Sequence, residues 1–335
     1  MTLARAVCAV GEGATVASPA PAAARHLCVA AVLADPWRRC TQLGGREGMP
    51  RSFGSVYSAY AVLFLGSTFR GIESAVHDGH AQPWSSGFAV SNDGATMLVS
   101  DYGNDTVCIA SVADGAHVCT IGICGNMPLE FFAPRQVWIA RDDFVFVAES
   151  GNDRIQVLTP QLDFYGFIGE GRLDSPFGVC ASGDVIVVAE RSRCRVQVFT
   201  RPDGAFSHDF GAQGVGAGEL LSPVGLCFMA DDTAIAVLEW GGDRVSVFRV
   251  DGTFVHHVGV GVLYRPRGAA CSDCDELVVA DTGNRRVAIF SASGGFLKTI
   301  GTGLFTSVAV HGASVFAHTS NLLFEPRDCR CVTFA

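Results

Sequence analysis

Residues 279–290 read VADTGNRRVAIF: an apolar strand, the acidic residue Asp281, a turn holding Gly283 and Asn284, then Arg286 and a second apolar strand. The phrase occurs four times upstream, as VSDYGNDTVCI around Asp101, VAESGNDRIQVL around Glu149, VAERSRCRVQVF around Glu190 and VLEWGGDRVSVF around Glu239. Successive acidic anchors lie 48, 41, 49 and 42 residues apart. A period of this size is that of a propeller in which each repeat is one four-stranded blade. The alternation in RVQVF and RVSVF sends Val and Phe into layers between face-packed sheets.

Segments opening near Ser86, Pro134, Pro176, Pro223, Pro266 and Phe305 count out an all-β, six-bladed β-propeller over residues 55–335. Residues 1–50 are Ala-, Pro- and Gly-rich, match no repeat and read as a poorly packed extension. The last segment, from Thr306, supplies three strands and stops short of an outermost one, while Tyr60–Phe69 resembles an outer strand without a blade. This N-terminal strand is expected to complete the last blade near Val332, because an open ring would leave unpaired sheet edges.

With 49% hydrophobic and 17% charged residues in 335, the chain can bury a large core. Its net charge of -9 disfavours nucleic acid unless one face is locally basic. The 13 cysteines are scattered and odd in number, which suggests buried small hydrophobes rather than a disulfide framework. The close pairs Cys271 with Cys274 and Cys329 with Cys331 fall short of the four ligands of a structural zinc site. No run reaches the ~20 apolar residues of a membrane helix. The expectation is a monomeric cytoplasmic protein with no membrane partner; the N-terminal arginines Arg5, Arg25, Arg38 and Arg39 leave an organellar transit peptide open.

Each hairpin sets an acid and an arginine five residues apart: Glu149 with Arg154, Glu190 with Arg195, Glu239 with Arg244, Asp281 with Arg286. These read as structural ion pairs that satisfy turn donors as blades pack. The competing reading, a ring of carboxylates serving as metal ligands or acid and base, is weakened because each acid has an arginine and recurs blade after blade.

The phrases ADTGNRRVAIF and ESGNDRIQVL, with the blade openings PRQV, PFGV, PVGL and PRGA, resemble the NHL repeat over about three quarters of the chain. The middle histidine of that signature is replaced by Asp105, Asp153, Cys194, Asp243 and Arg285. The resemblance implies a six-bladed interaction platform, in relatives often the substrate-recognising end of a ubiquitin ligase, sometimes an RNA reader, and in one branch a zinc-dependent amidating lyase. No ring finger or coiled coil is present, so a ubiquitin role would need another subunit. The nine histidines do not lie where three would meet on a channel metal; only His318 falls at a blade's anchor position. No GxSxG, HExxH or P-loop occurs. No catalytic residue, metal ligand set or cofactor is assigned.

Binding candidates come from two sets. After the anchors stand Tyr102, Ser150, Arg191, Trp240 and Thr282, a variable position inside a fixed turn. Of these Tyr102 and Trp240 are candidate aromatic anchors, with Arg191, Arg193 and Arg285 as charged ones. After the blade-opening prolines stand Arg135, Phe177 and Arg267, which with Arg172 and Arg265 form a basic rim suited to an acidic peptide or a phosphate backbone. Ordinary solvated turn residues would look the same. The favoured function is a non-catalytic scaffold for a protein or peptide. A metal-dependent hydrolase or lyase in the channel and an RNA-binding face are the alternatives.

Overall fold

The computed structural model describes residues 57–64, 69–75, 85–229 and 232–319. The chain is an all-β propeller. It begins with an antiparallel hairpin of β1 (Tyr57–Phe64) and β2 (Phe69–Ala75). Five blades of contiguous chain follow. The first is β3 (Ser85–Val90), β4 (Thr96–Asp101), β5 (Thr106–Ser111) and β6 (His117–Ile121). The second is β7 (Pro134–Ile139), β8 (Val145–Glu149), β9 (Arg154–Leu158) and β10 (Phe164–Ile168). The third is β11 (Pro176–Ala181), β12 (Val185–Glu190), β13 (Arg195–Thr200) and β14 (Phe206–Phe210). The fourth is β15 (Pro223–Met229), β16 (Ala234–Glu239), β17 (Arg244–Arg249) and β18 (Phe254–Val258). The fifth is β19 (Ala269–Cys271), β20 (Leu277–Asp281), β21 (Arg286–Phe290) and β22 (Phe296–Ile300). Strands within each blade are antiparallel neighbours, the first lining the axis and the fourth lying outermost.

Five contiguous blades are one fewer than the six counted in the sequence. The segment from Phe305 contributes only β23 (Phe305–His311) and β24 (Ser314–Thr319) among the described residues. These join the N-terminal hairpin in a composite four-stranded sheet of order β2-β1-β24-β23. The strand beside β24 is β1, in a register that sets Ala61 opposite Thr319 and Phe64 opposite Phe316. The N-terminal contribution is therefore two strands rather than one, and it occupies the place where the sequence reading put a third C-terminal strand. The extension over 1–50, Val332 and the Cys329–Cys331 pair lie outside the described residues.

Apolar layers fill the spaces between sheets. Leu98, Val107, Phe131, Val147 and Leu158 join the first two blades, and Phe146, Ile155, Val179, Ile186 and Phe199 the second and third. Phe305, Val308 and Ala317 of the composite sheet pack on Val287 and Ile289 of the fifth blade; Phe316 packs with Phe88 and Met97 of the first. Each fully buried Val, Leu, Ile or Phe contributes about 1.5–3 kcal/mol, so these layers supply most of the driving force.

One register correction follows. Pro134, Pro176 and Pro223 sit opposite Glu149, Glu190 and Glu239, and the equivalent partner of Phe305 is Thr319. His318 is thus one residue short of the anchor, which turns its side chain from the turn into the layer between sheets, where its ring stacks on Phe88 at 5.9 Å. Burial pulls its pKa down from 6.5 to about 4.

Candidate functional site

The acid–arginine hairpins make a buried layer beneath one face. The carboxylates of Glu149, Glu190, Glu239 and Asp281 are wholly buried. Arg154 Nε reaches Glu149 at 2.6 Å, Arg244 reaches Glu239 at 2.8 Å, Arg286 reaches Asp281 at 2.7 Å, and Arg195 is hydrogen-bonded to Glu190. Each acid also accepts from its surroundings. Glu149 takes the Gln156 amide at 2.7 Å, Glu190 the Asp174 N–H at 2.7 Å, Glu239 the Leu221 N–H at 2.8 Å and Asp281 the Tyr264 N–H at 2.8 Å. Three of the arginines donate onward to carbonyls of the incoming loop: Arg154 to Asn126, Arg244 to Val215 and Arg286 to Val262, each at 2.8 Å. Each pair therefore fastens the loop that enters its blade to the turn inside it. Burial pushes the Glu149 carboxyl above its usual pKa, against the pull of Arg154, Asn152 and Gln156. In blade one Asp101 has Thr106 where the others have arginine, and Asn104 Nδ2 donates to it at 2.7 Å.

Neighbouring blades are tied at the same level by aspartates in left-handed conformation. Asp105, Asp153 and Asp243, at φ of 54°, 53° and 52°, accept from the N–H of Ala133, Ser175 and Arg265 respectively, each the residue before a blade-opening proline. Aspartate in place of the signature histidine thus has a short carboxylate's work to do: it tolerates positive φ and reaches the next blade.

Above this layer the variable turn residues and the blade openings converge. The Arg135 guanidinium lies 3.8 Å from the Tyr102 ring centroid and 4.3 Å from that of Phe177. Arg191 lies 5.1 Å from both Phe177 and Trp240. Arg265 lies 4.9 Å from Trp240 and 5.2 Å from Tyr264. Tyr102, Arg135, Phe177, Arg191, Trp240, Arg265 and Tyr264 so alternate ring and cation around one mouth of the channel. Arg267 completes the charge cluster: burial lowers its pKa, and Arg191 and Arg265 lower it further. Burial pulls Arg135 below the usual guanidinium range, down to about 10, with Tyr102 opposing it and Arg191 and Arg267 adding repulsion. Glycine admits two of these backbones to the axis, since a Cβ at Gly87 or Gly225 would collide with the carbonyl oxygen of Arg135 or Arg267.

The mouth has a floor. Gln136 crosses the axis, donating to the Leu226 carbonyl at 2.7 Å and accepting from Leu226 N–H at 3.0 Å. Below it Trp138 donates Nε1–H to Ala181 O at 2.9 Å and meets Phe228 edge-on at 6.4 Å. A cavity of about 340 Å³ continues past Trp138 to the opposite end, where Asp232, Asp273 and Asp275 line it. Turns at that end also carry Asp142, Asp143 and Asp184. One mouth is cationic and the other acidic.

Arg193 is outside the belt, paired with Asp174 at 2.9 Å, both side chains being about half exposed. Arg172 likewise lies over Phe206 of the third blade's outer strand. Arg285 is exposed at φ 55° in its turn. The sequence reading passed over Tyr264, Gln136 and Trp138. Tyr264 has a signal in hindsight, standing two residues before a blade-opening proline; the other two have none, since single innermost strands carry them.

Among the described residues no three His, Cys, Asp or Glu side chains converge as a metal-binding group. His117 contacts Thr120, His208 the Val250 carbonyl and His257 Ser246, each within its own region of the outer surface. Cys180 and Cys227 are buried thiols whose pKa burial pushes well up; Cys271 and Cys274 are not in disulfides. No described helix is long and apolar enough to cross a membrane.

No family model matches the chain. A 112-residue stretch is 29% identical to the Drosophila melanogaster protein brain tumor, covering 33% of this chain and 11% of that protein, so the chain spans a small part of the curated relative. Among solved structures, the nidogen/laminin complex matches with a TM-score of 0.53 at 16% identity, over 72% of this chain and 93% of that one. A catalytically inactive virginiamycin B lyase from Staphylococcus aureus, solved with quinupristin, matches with a TM-score of 0.55 at 15% identity, over 77% of this chain and 81% of that one. At such identities the likeness is one of fold: a β-propeller.

Proposed function

We propose that this protein is a non-catalytic propeller scaffold that binds a protein or peptide across the cationic mouth. The observation that carries the reading is the alternating belt: side chains from four successive blades, far apart in sequence, meet as arginines over aromatic rings. Arginine, tyrosine and tryptophan are the residues in which binding energy concentrates at protein interfaces. The partial likeness to the brain tumor protein and the fold shared with a nidogen/laminin complex support a platform of this kind, and the NHL resemblance extends it to a substrate-recognition component in ubiquitin-dependent turnover. The scaffold is taken as monomeric and cytoplasmic.

The test is site-specific photo-crosslinking in cells with the probe at Ser150, beside the mouth, or at Asp184, at the opposite end. A discrete partner captured from Ser150, and lost with Trp240→Ala plus Arg191→Ala, is the expected result. Equal capture from both ends would defeat the assignment of the face.

In the same reading the composite sheet is the sixth blade, and the N-terminal hairpin closes the ring. Removing residues 1–76 then abolishes the cooperative thermal transition, whereas removing 1–45 leaves it in place; equal melting of both truncations would refute closure.

A further inference from the structure

Resting on that reading of the mouth, its chemistry narrows the ligand. Among the described residues no carboxylate lies within ion-pair distance of Arg191, Arg265 or Arg267, although every arginine of the layer below has one. Like charges are gathered around one opening and balanced by rings rather than by anions. A guanidinium seated over a ring keeps its in-plane N–H donors for a carboxylate or phosphate, which it binds in bidentate fashion.

Two observations separate these anions. The faces of Tyr102, Phe177 and Trp240 are already covered by guanidinium groups, so the stacking that single-stranded nucleic acid uses has few open rings here. The net charge of -9 also repels a long polyanion beyond its first contacts, whereas a short acidic segment meets only the mouth. Around the belt, on the loops entering the blades, Met127, Phe132, Val260 and Tyr264 are 60%, 47%, 64% and 44% exposed, an apolar rim for the partner's flanking side chains. Gln136 blocks the axis, so the ligand lies across the mouth instead of threading it.

We infer that the mouth binds an acidic peptide segment of a partner protein, its carboxylates on Arg191, Arg265 and Arg267 and its apolar side chains on Phe132 and Tyr264.

The experiment pans a random peptide library against the full-length protein, then measures each enriched peptide, its Gln-for-Glu and Asn-for-Asp isostere and a single-stranded oligouridine RNA by fluorescence anisotropy. The variants are Arg191→Ala with Arg267→Ala, and Arg191→Glu alone, a turn substitution that keeps the test valid where the double variant fails to fold. Acid-rich peptides whose affinity drops about tenfold or more in the variants, in the isosteres and on raising salt are the expected result. Enrichment of neutral or basic peptides that still need the mouth would overturn the acidic ligand and leave the platform standing. Absence of any mouth-dependent peptide would overturn both. RNA binding tighter than any peptide and lost in Arg191→Glu would replace the inference with a nucleic-acid site.

Discussion

Arginine occurs in two settings a few ångströms apart, and the contrast between them separates architecture from recognition. Beneath the turns, Arg154 and Arg244 are buried and committed to a carboxylate in the same hairpin and a carbonyl in the incoming loop. At the mouth, Arg191 and Arg265 rest on aromatic rings, and no described carboxylate pairs with them. The lower set repeats from blade to blade because each blade has the same loop to fasten. The upper set varies, as the proposed function requires, in which only the sum around the mouth has to suit a ligand.

The largest effect should come from breaking a lower pair on one side only. Arg154→Ala strands Glu149 wholly buried and is expected to cost about 3–5 kcal/mol by urea denaturation. Replacing both partners, Glu149→Leu with Arg154→Met, should cost less than the single change; a double variant as unstable as the single one would mean the pair is not a closed unit.

His318 offers a comparison with the sheet that lacks such a pair. Its folded pKa of about 4 lies below the unfolded 6.5, so the unfolded chain binds more protons between those values. Its contribution is therefore full above about pH 6.5 and falls as pH drops toward 4, by about 3 kcal/mol in total. The His318→Phe variant should lose that part of the pH dependence, which equilibrium unfolding at pH 5 and pH 7 would reveal; an unchanged slope would remove His318 from the account.

A smaller effect is expected where a strand's closeness seats an upper arginine. Gly225→Ala drives a methyl into the Arg267 carbonyl and should cost about 1–3 kcal/mol while weakening mouth-dependent binding. Gly166→Ala, with open space around its Cβ, serves as the control, and equal losses at both would discount the close approach. Least of all, Arg191→Ala should change stability by under about 0.5 kcal/mol, measured by thermal melting, because its turn keeps its backbone bonds. A loss as large as that of Arg154→Ala would erase the distinction between the two sets.

The lower pairs were legible because they are local: acid and arginine face each other across one hairpin, five residues apart, and any chain that forms the hairpin brings them together. Six of the seven belt residues were singled out from the sequence as well, Tyr102, Arg191 and Trp240 as variable positions inside a repeating phrase and Arg135, Phe177 and Arg265 from the blade openings. The belt's ordering into alternating rings and cations was not legible, and neither was the exclusion of Arg193, which pairs with Asp174.

Sequence alone determined the repeat, the hairpin ion pairs and the apolar layers, since each depends on side chains whose spacing along the chain is their spacing in space. Only the tertiary structure decided which residues share the mouth, that Gln136 and Trp138 stop the channel, and that the N-terminal hairpin joins β24 through β1, with β2 outermost. Those contacts join residues far apart in the chain, 90 positions for Gln136 and Leu226 and 258 for Ala61 and Thr319, and arise from how sheets are arranged around an axis, which no local pattern encodes.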